Sequence, residues 1–179
     1  MTDWQLVELT ILDHIARLHS PLLDQLMPAI SFLGNSGWIW IAIAILMVLS
    51  KRYRRGGWLL TTALVFCLLV GNLTLKPLIA RIRPFDVNTL VTLLIAPPTD
   101  YSFPSGHSMA SFAAAATLWH TDRRLGLAAF FLAALIAFSR LYLYVHYPTD
   151  VLGGIVIGLL LGNLAVYLFS RLDNRRSKL

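Results

Sequence analysis

Charge is what this sequence has least of. Only 13% of its 179 residues are charged, against 57% hydrophobic, and the mean hydropathy is +0.68. Soluble domains carry about 25% charged residues, so an ordinary aqueous fold is excluded. Cysteine is almost missing as well: Cys67 stands alone in the middle of an apolar run, which permits no internal disulfide. The N-terminus lacks a basic segment ahead of an apolar run and is interrupted by Asp3, Glu8 and Asp13, so it does not read as a cleavable signal peptide. No internal repeat, low-complexity tract or second-domain boundary is visible.

What is present is a series of long apolar runs. Residues 30–50, 57–75, 104–121, 125–139 (running on to 145) and 151–170 approach or reach the roughly 20 uncharged residues of a bilayer-spanning helix. The fold class expected is therefore all-α: a polytopic transmembrane helix bundle of five to six membrane helices. Ahead of it, Trp4, Val7, Ile11, Ile15 and Leu18 recur at helical spacing beside Glu8, Asp13 and Arg17. That pattern predicts an interfacial helix, followed by a short helix over about 22–33 and a turn at Gly34-Asn35-Ser36-Gly37. One domain is expected: an arm over 1–35, a helix bundle over 36–171 and a tail over 172–179.

Basic residues in short loops stay on the cytoplasmic side. Lys51, Arg52, Arg54 and Arg55, then Arg123 and Arg124, then Arg171, Arg175, Arg176 and Lys178 share one side if the spans alternate. Those ten orient the protein, C-terminus inward, and leave the net charge of +6 in no need of a nucleic-acid partner. Lys76, Arg81, Arg83 and Arg140 fall on the opposite, external face. A charge that breaks the positive-inside pattern points to function, although a single Lys or Arg at a span end is more often a snorkelling side chain. Arg81 keeps that plainer reading.

Polar groups gather in three places where apolar runs end. Ser105-Gly106-His107 follows Pro104 and opens a helix, whose unpaired N–H groups form an anion site; the same residues also fit an ordinary capped helix start. Pro148 opens the last span, with His146 before it and Asp150 in its first turn, a spacing that lets the carboxylate reach the ring and leave the other nitrogen free as base or nucleophile. Lys76, Arg83 and Arg140 bring positive charge. Acidic and histidine residues show no metal-ligand spacing, and His14, His19 and His120 lie away from these places.

Taken together, Lys76 to Pro84, Pro104 to His107 and Ser139 to Asp150 match, in order and without departure, the Lys-x6-Arg-Pro, Pro-Ser-Gly-His and Ser-Arg-x5-His-x3-Asp signature of the type 2 phosphatidic acid phosphatase superfamily. The chain resembles that family of membrane lipid phosphatases over about residues 60–170. The resemblance implies that His146 is a nucleophile forming a phosphohistidine, that Asp150 orients it, and that His107 is the proton donor and later the base. It implies that Lys76, Arg83, Ser105, Gly106 and Arg140 hold the phosphate, with no cofactor or metal. The partner expected is a lipid phosphate in the bilayer: phosphatidylglycerophosphate or phosphatidic acid, with undecaprenyl diphosphate as alternative. A bacterial inner membrane with an external active site is the expected setting. Two other readings compete: an intramembrane serine protease built on Ser36, and an anion carrier using the basic cluster, though a carrier leaves the His146–Asp150 pair without a role.

Overall fold

In a computed structural model of the chain, residues 3–176 are described, with the side chains of 173–176 left aside; Lys178, one of the ten orienting cations, lies outside the described residues. Helix makes up 78% of the structure, and no strand occurs among the described residues.

Helix α1 (Asp3–Ala16) is followed by α2 (Pro21–Leu33), which begins where expected: Ser20 caps it by accepting from the Leu23 N–H, and Pro21 takes the first turn. A 3-10 turn, Asn35–Gly37, then leads into α3 (Trp38–Leu49). Ser36 (φ 50) and Gly37 (φ 68) both sit in the left-handed region, and the two helical stretches meet there at 43°. Helix α4 (Arg54–Phe66) widens into a π-helical stretch, Cys67–Leu75, before α5 (Lys76–Ile79). Pro77 has no N–H and its ring crowds the preceding turn, a local reason for the ladder to relax just ahead of it. Ala80, at φ 47, ends the helix. Lys76 and Arg83 therefore do not share one continuous helical face, as extrapolation of the helix would have them do.

A short α6 (Pro84–Val87) and an irregular loop lead to α7 (Gly106–Thr121), which starts two residues after Pro104, with Ser105 as its cap. Asp122 caps α8 (Arg123–Tyr142), and α9 (Pro148–Arg176) starts at Pro148 as read from the sequence. Helix α7 is central. Its small residues Ala113, Ala114 and Ala115 are fully buried, and Gly154, Gly158 and Gly162 of α9 lie against its backbone: a methyl added at Gly158 would stand 2.3 Å from the Met109 carbonyl oxygen. Close backbone approach of this kind needs glycine and is a common way for membrane helices to associate.

Among the described residues, three helical stretches are long and apolar enough to cross a bilayer, Arg54–Val87, Arg123–Tyr142 and Pro148–Leu172, or four if the bent pair around the 3-10 turn is one span. Helix α7, expected as a further span, has 16 residues and is sheltered by its neighbours. Trp4, Val7, Ile11 and Leu18 face outward, whereas Glu8 is buried and Asp13 accepts a hydrogen bond from the Tyr144 hydroxyl (2.8 Å). On the inward side Glu8 lies beside the buried Leu9 and Leu12, while the outward stripe is the apolar face that an interfacial helix turns to lipid.

Candidate active site

The ends of α5, α7, α8 and α9 converge on one side of the bundle. The helix ends bearing Arg123, Arg124 and Arg171 lie on the other, since Arg171 stands 21 positions after Asp150 along α9, about 32 Å away. The convergence forms a cavity of about 1020 Å³, lined at its polar end by Lys76, Arg83, Asp100, Gly106, His107, Arg140 and His146.

His146 sits in the turn between α8 and α9 and is almost wholly buried. Its Nδ1 is 3.6 Å from Asp150 Oδ2, and its Nε2 is 3.4 Å from Arg83 Nη1. A guanidinium only donates, so the nitrogen it approaches must carry the lone pair; the proton then belongs on Nδ1, facing Asp150. The spacing to Asp150 exceeds a direct hydrogen bond. Asp150 Oδ2 is held instead by the Tyr147 N–H (2.8 Å) and the Ser102 hydroxyl. Burial, with the charges of Arg83 and Arg140, pushes the His146 ring well below its ordinary range, to about 3, against the upward pull of Asp150. The ring is thus neutral, with its lone pair directed at the cations.

Arg83 is held on both sides: Nη1 donates to the Val145 carbonyl (2.6 Å), Nε to the Asp100 carbonyl (2.7 Å) and Nη2 to the Asp100 carboxylate (2.5 Å). Lys76 pairs with the same carboxylate. Burial would raise the Asp100 carboxyl, but the hydrogen bonds and charges of Lys76 and Arg83 hold it down at about 2. Asp100 was legible in the sequence only as a loop acid; here it is the counter-ion of two cations assigned to phosphate. Arg140 donates to the Ser31 hydroxyl and keeps a buried Nε donor without a protein partner. Such a group costs free energy unless something accepts from it.

At the start of α7, His107 Nε2 lies 2.9 Å from Asn35 Oδ1. The histidine contact of the Gly-Asn-Ser-Gly turn is therefore made by its asparagine; Ser36 lines the same cavity, in a strained backbone. Gly106 lines the cavity, and a methyl placed on it would meet nothing closer than Asn72 Oδ1 at 3.4 Å. Ser105 is set further back: its hydroxyl oxygen accepts from the Ser108 hydroxyl (3.0 Å), and its N–H donates to the Asp150 carbonyl (3.0 Å), tying α7 to α9. Asp150 also lies behind the cavity, shielded by His146.

Arg81 corrects the snorkelling reading. Its Nη1 donates to Asp150 Oδ1 (2.6 Å) and to the Thr149 hydroxyl (2.7 Å), and its Nη2 pairs with Glu8. The guanidinium lies 4.0 Å above the Tyr147 ring centroid. Snorkelling was the natural expectation because its partners are 69 and 73 residues away in the chain. No group of three or more His, Cys, Asp or Glu arranged to hold a metal occurs among the described residues.

The opposite end of the cavity is apolar. Ile41 and Ile45 of α3, Val65 of α4 and Leu68 line it and are also exposed on the outer surface, so it opens sideways between α3 and α4.

Residues 56–173 match the family model of the PAP2 superfamily. An undecaprenyl-diphosphatase of Sulfolobus acidocaldarius is 34% identical over 149 residues, covering 83% of this chain and 71% of the relative. Phosphatidylglycerophosphatase B of Bacillus subtilis is 33% identical over 160 residues, covering 80% and 74%. Among solved structures, a PAP2-type phosphatidylglycerolphosphate phosphatase of Bacillus subtilis superposes with a TM-score of 0.79 at 28% identity, covering 96% of this chain and 88% of that one.

Proposed function

The chain belongs to the PAP2 superfamily, and from that premise we propose that it is a metal-independent membrane lipid phosphatase that works through a phosphohistidine on His146. The observation that carries the reading is the facing of a neutral, lone-pair-bearing His146 Nε2 toward Arg83 at the polar end of a cavity that also holds Lys76, Arg140 and His107.

The geometry supports one course of reaction. Phosphoryl oxygens enter between Lys76, Arg83, the Arg140 Nε donor and the Gly106 end of α7, displacing the Asp100 carboxylate from the two cations. Ser105 supports that end as the helix cap. His146 Nε2 attacks phosphorus and the bond to the lipid oxygen breaks; the His107 ring, pushed down to about 2 by burial and the charges of Arg140, His146, Lys76 and Arg83, takes up a proton beside the bound phosphate anion and gives it to the departing alkoxide. Asp150 faces the Nδ1 proton and stabilises the charge that the ring gains. His107, now unprotonated, takes a proton from water as the water attacks phosphorus, which frees His146 and releases inorganic phosphate. Charge spread over the phosphoryl oxygens is met by fixed cations, the office a metal fills in other phosphatases.

The substrate class favoured is a glycerophospholipid phosphate, phosphatidylglycerophosphate or phosphatidic acid, because the apolar half of the cavity suits acyl chains and the solved relative acts on phosphatidylglycerolphosphate. A polyprenyl diphosphate is the second reading, favoured by the 34% identical undecaprenyl-diphosphatase. We place the site on the external face of a bacterial inner membrane, opposite the ten orienting cations. Reaction of a cysteine introduced into the 88–103 loop with an impermeant thiol reagent in intact cells checks the side.

The test is phosphate release from these three lipids by the purified protein in excess chelator, beside His146→Ala. Release by the wild type, none by the variant, and a trapped acid-labile phosphoenzyme only in the wild type are expected. A strict need for added Mg²⁺, or activity retained in His146→Ala, overturns the mechanism.

A further inference from the structure

Glu8 is a carboxylate on the first helix, 1% exposed, on an arm for which the sequence suggested no part in the site. Its partners explain its burial. Oε1 accepts from the Thr149 N–H (3.0 Å) and hydroxyl (2.6 Å), and Oε2 takes the Nη2 of Arg81. The other arm of the same guanidinium reaches Asp150 Oδ1. Two buried carboxylates thus share one arginine, and Thr149 is bonded to both Glu8 and Arg81.

We propose that Glu8 and Arg81 are positioning residues of the hydrolytic site: Glu8, carried in on α1, holds Arg81 against Asp150, and so fixes the carboxylate that faces His146. This rests on the reading of His146 and Asp150 given under Proposed function. Four contacts define the Asp150 carboxylate: Arg81 on Oδ1, then the Tyr147 N–H, the Ser102 hydroxyl and His146 on Oδ2. Arg81 is the only fixed cation among them. Without it, a buried carboxylate would lose its permanent counter-charge and the bond that sets its rotation. Arg81 in turn has a long, flexible side chain, and Glu8 pins its second nitrogen while the Tyr147 ring lies beneath its plane. Stability alone does not require a carboxylate at position 8, since an apolar residue would pack α1 without the cost of burying a charge. Neither Glu8 nor Arg81 lines the cavity. They therefore act through Asp150 and not on the substrate, which separates a positioning role from a binding one.

The separation is measurable with the full-length protein in detergent micelles containing the preferred lipid phosphate from the panel, with active sites counted by trapped phosphoenzyme. Displacing a reacting group slightly costs up to about 10²-fold in rate. Arg81→Met should thus lower kcat per active site by about 10–10²-fold, and Glu8→Gln by about 10-fold. KM should stay within about twofold in both, because the phosphate contacts are intact. Arg81→Lys, which keeps a cation, should regain part of the loss. Combined, Glu8→Gln and Arg81→Met should be no worse than Arg81→Met alone, the mark of residues acting as one unit. A merely structural role would reduce the number of active sites and the melting temperature while leaving kcat per site unchanged. That result, or a raised KM with kcat intact, overturns the proposal. If Arg81→Met fails to fold, Glu8→Gln, which preserves size and shape, decides alone. His146→Ala is run beside them: if it stays active, the proposed chemistry fails, whereas an inactive His146→Ala with a normal Glu8→Gln sinks only the positioning role.

Discussion

The two nitrogens of His146 face different partners, and that difference fixes both its chemistry and its effect on stability. Nδ1 looks toward a carboxylate and Nε2 toward an arginine. Burial dominates and keeps the ring unprotonated down to about pH 3 in the fold, whereas an unfolded chain protonates histidine near about 6.5. Between those values the unfolded state binds the extra proton, so stability rises with pH and falls as pH drops from about 6.5 toward 3. Asp100, held at about 2, adds its own loss only below the ordinary carboxylate range near about 4. The window from about pH 4 to 6.5 therefore belongs to the two site histidines, since burial and the nearby cations push His107 down as well, to about 2, and not to Asp100. Melting temperature in detergent should fall between pH 7 and pH 5 in the wild type, with a shallower fall in His146→Gln. Equal slopes would mean that the ring is already protonated in the folded protein.

At the scale of elements, α7 and α9 act as one block because glycines let their backbones touch. The methyl of Gly158→Ala would meet the carbonyl oxygen, carbonyl carbon and Cα of Met109, all main-chain atoms that cannot rotate away. The substitution should destabilise by about 1–3 kcal/mol, the range for overpacking, and should lower activity by moving His107 relative to His146. Thermal melts and turnover, measured together, check it. Gly106→Ala is the contrast: its methyl has room, so its loss should appear in turnover with little change in melting temperature. Helix starts at Pro21 and Pro148 were legible in the sequence because proline and capping residues act locally. So were Lys76, Arg83, His107, Arg140, His146 and Asp150, since polar groups at the ends of apolar runs have few structural excuses. Glu8, Arg81, Asn35 and Asp100 were not legible as members of one site. Their meaning depends on partners distant in the chain. Pro77 signals a disturbed ladder but not a π-helical stretch of 9 residues ahead of it, and the left-handed Ala80 that ends the helix is a conformation its side chain does not favour.

For the whole molecule, the arm is tied to the bundle, since Glu8 and Asn35, both within residues 1–35, reach groups at the site. The cavity joins a charged end to an apolar slot that opens between α3 and α4, through side chains that also form the outer surface. A molecule entering by that slot comes from the leaflet and not from water, so the relevant encounter takes place in two dimensions. The concentration the protein senses is then the mole fraction of substrate in the surrounding film. Adding inert detergent or phospholipid at constant bulk substrate should lower velocity in proportion to that mole fraction, while diluting protein and film together should leave the rate per enzyme unchanged. Velocity that follows bulk concentration instead would mean that the slot is not the way in.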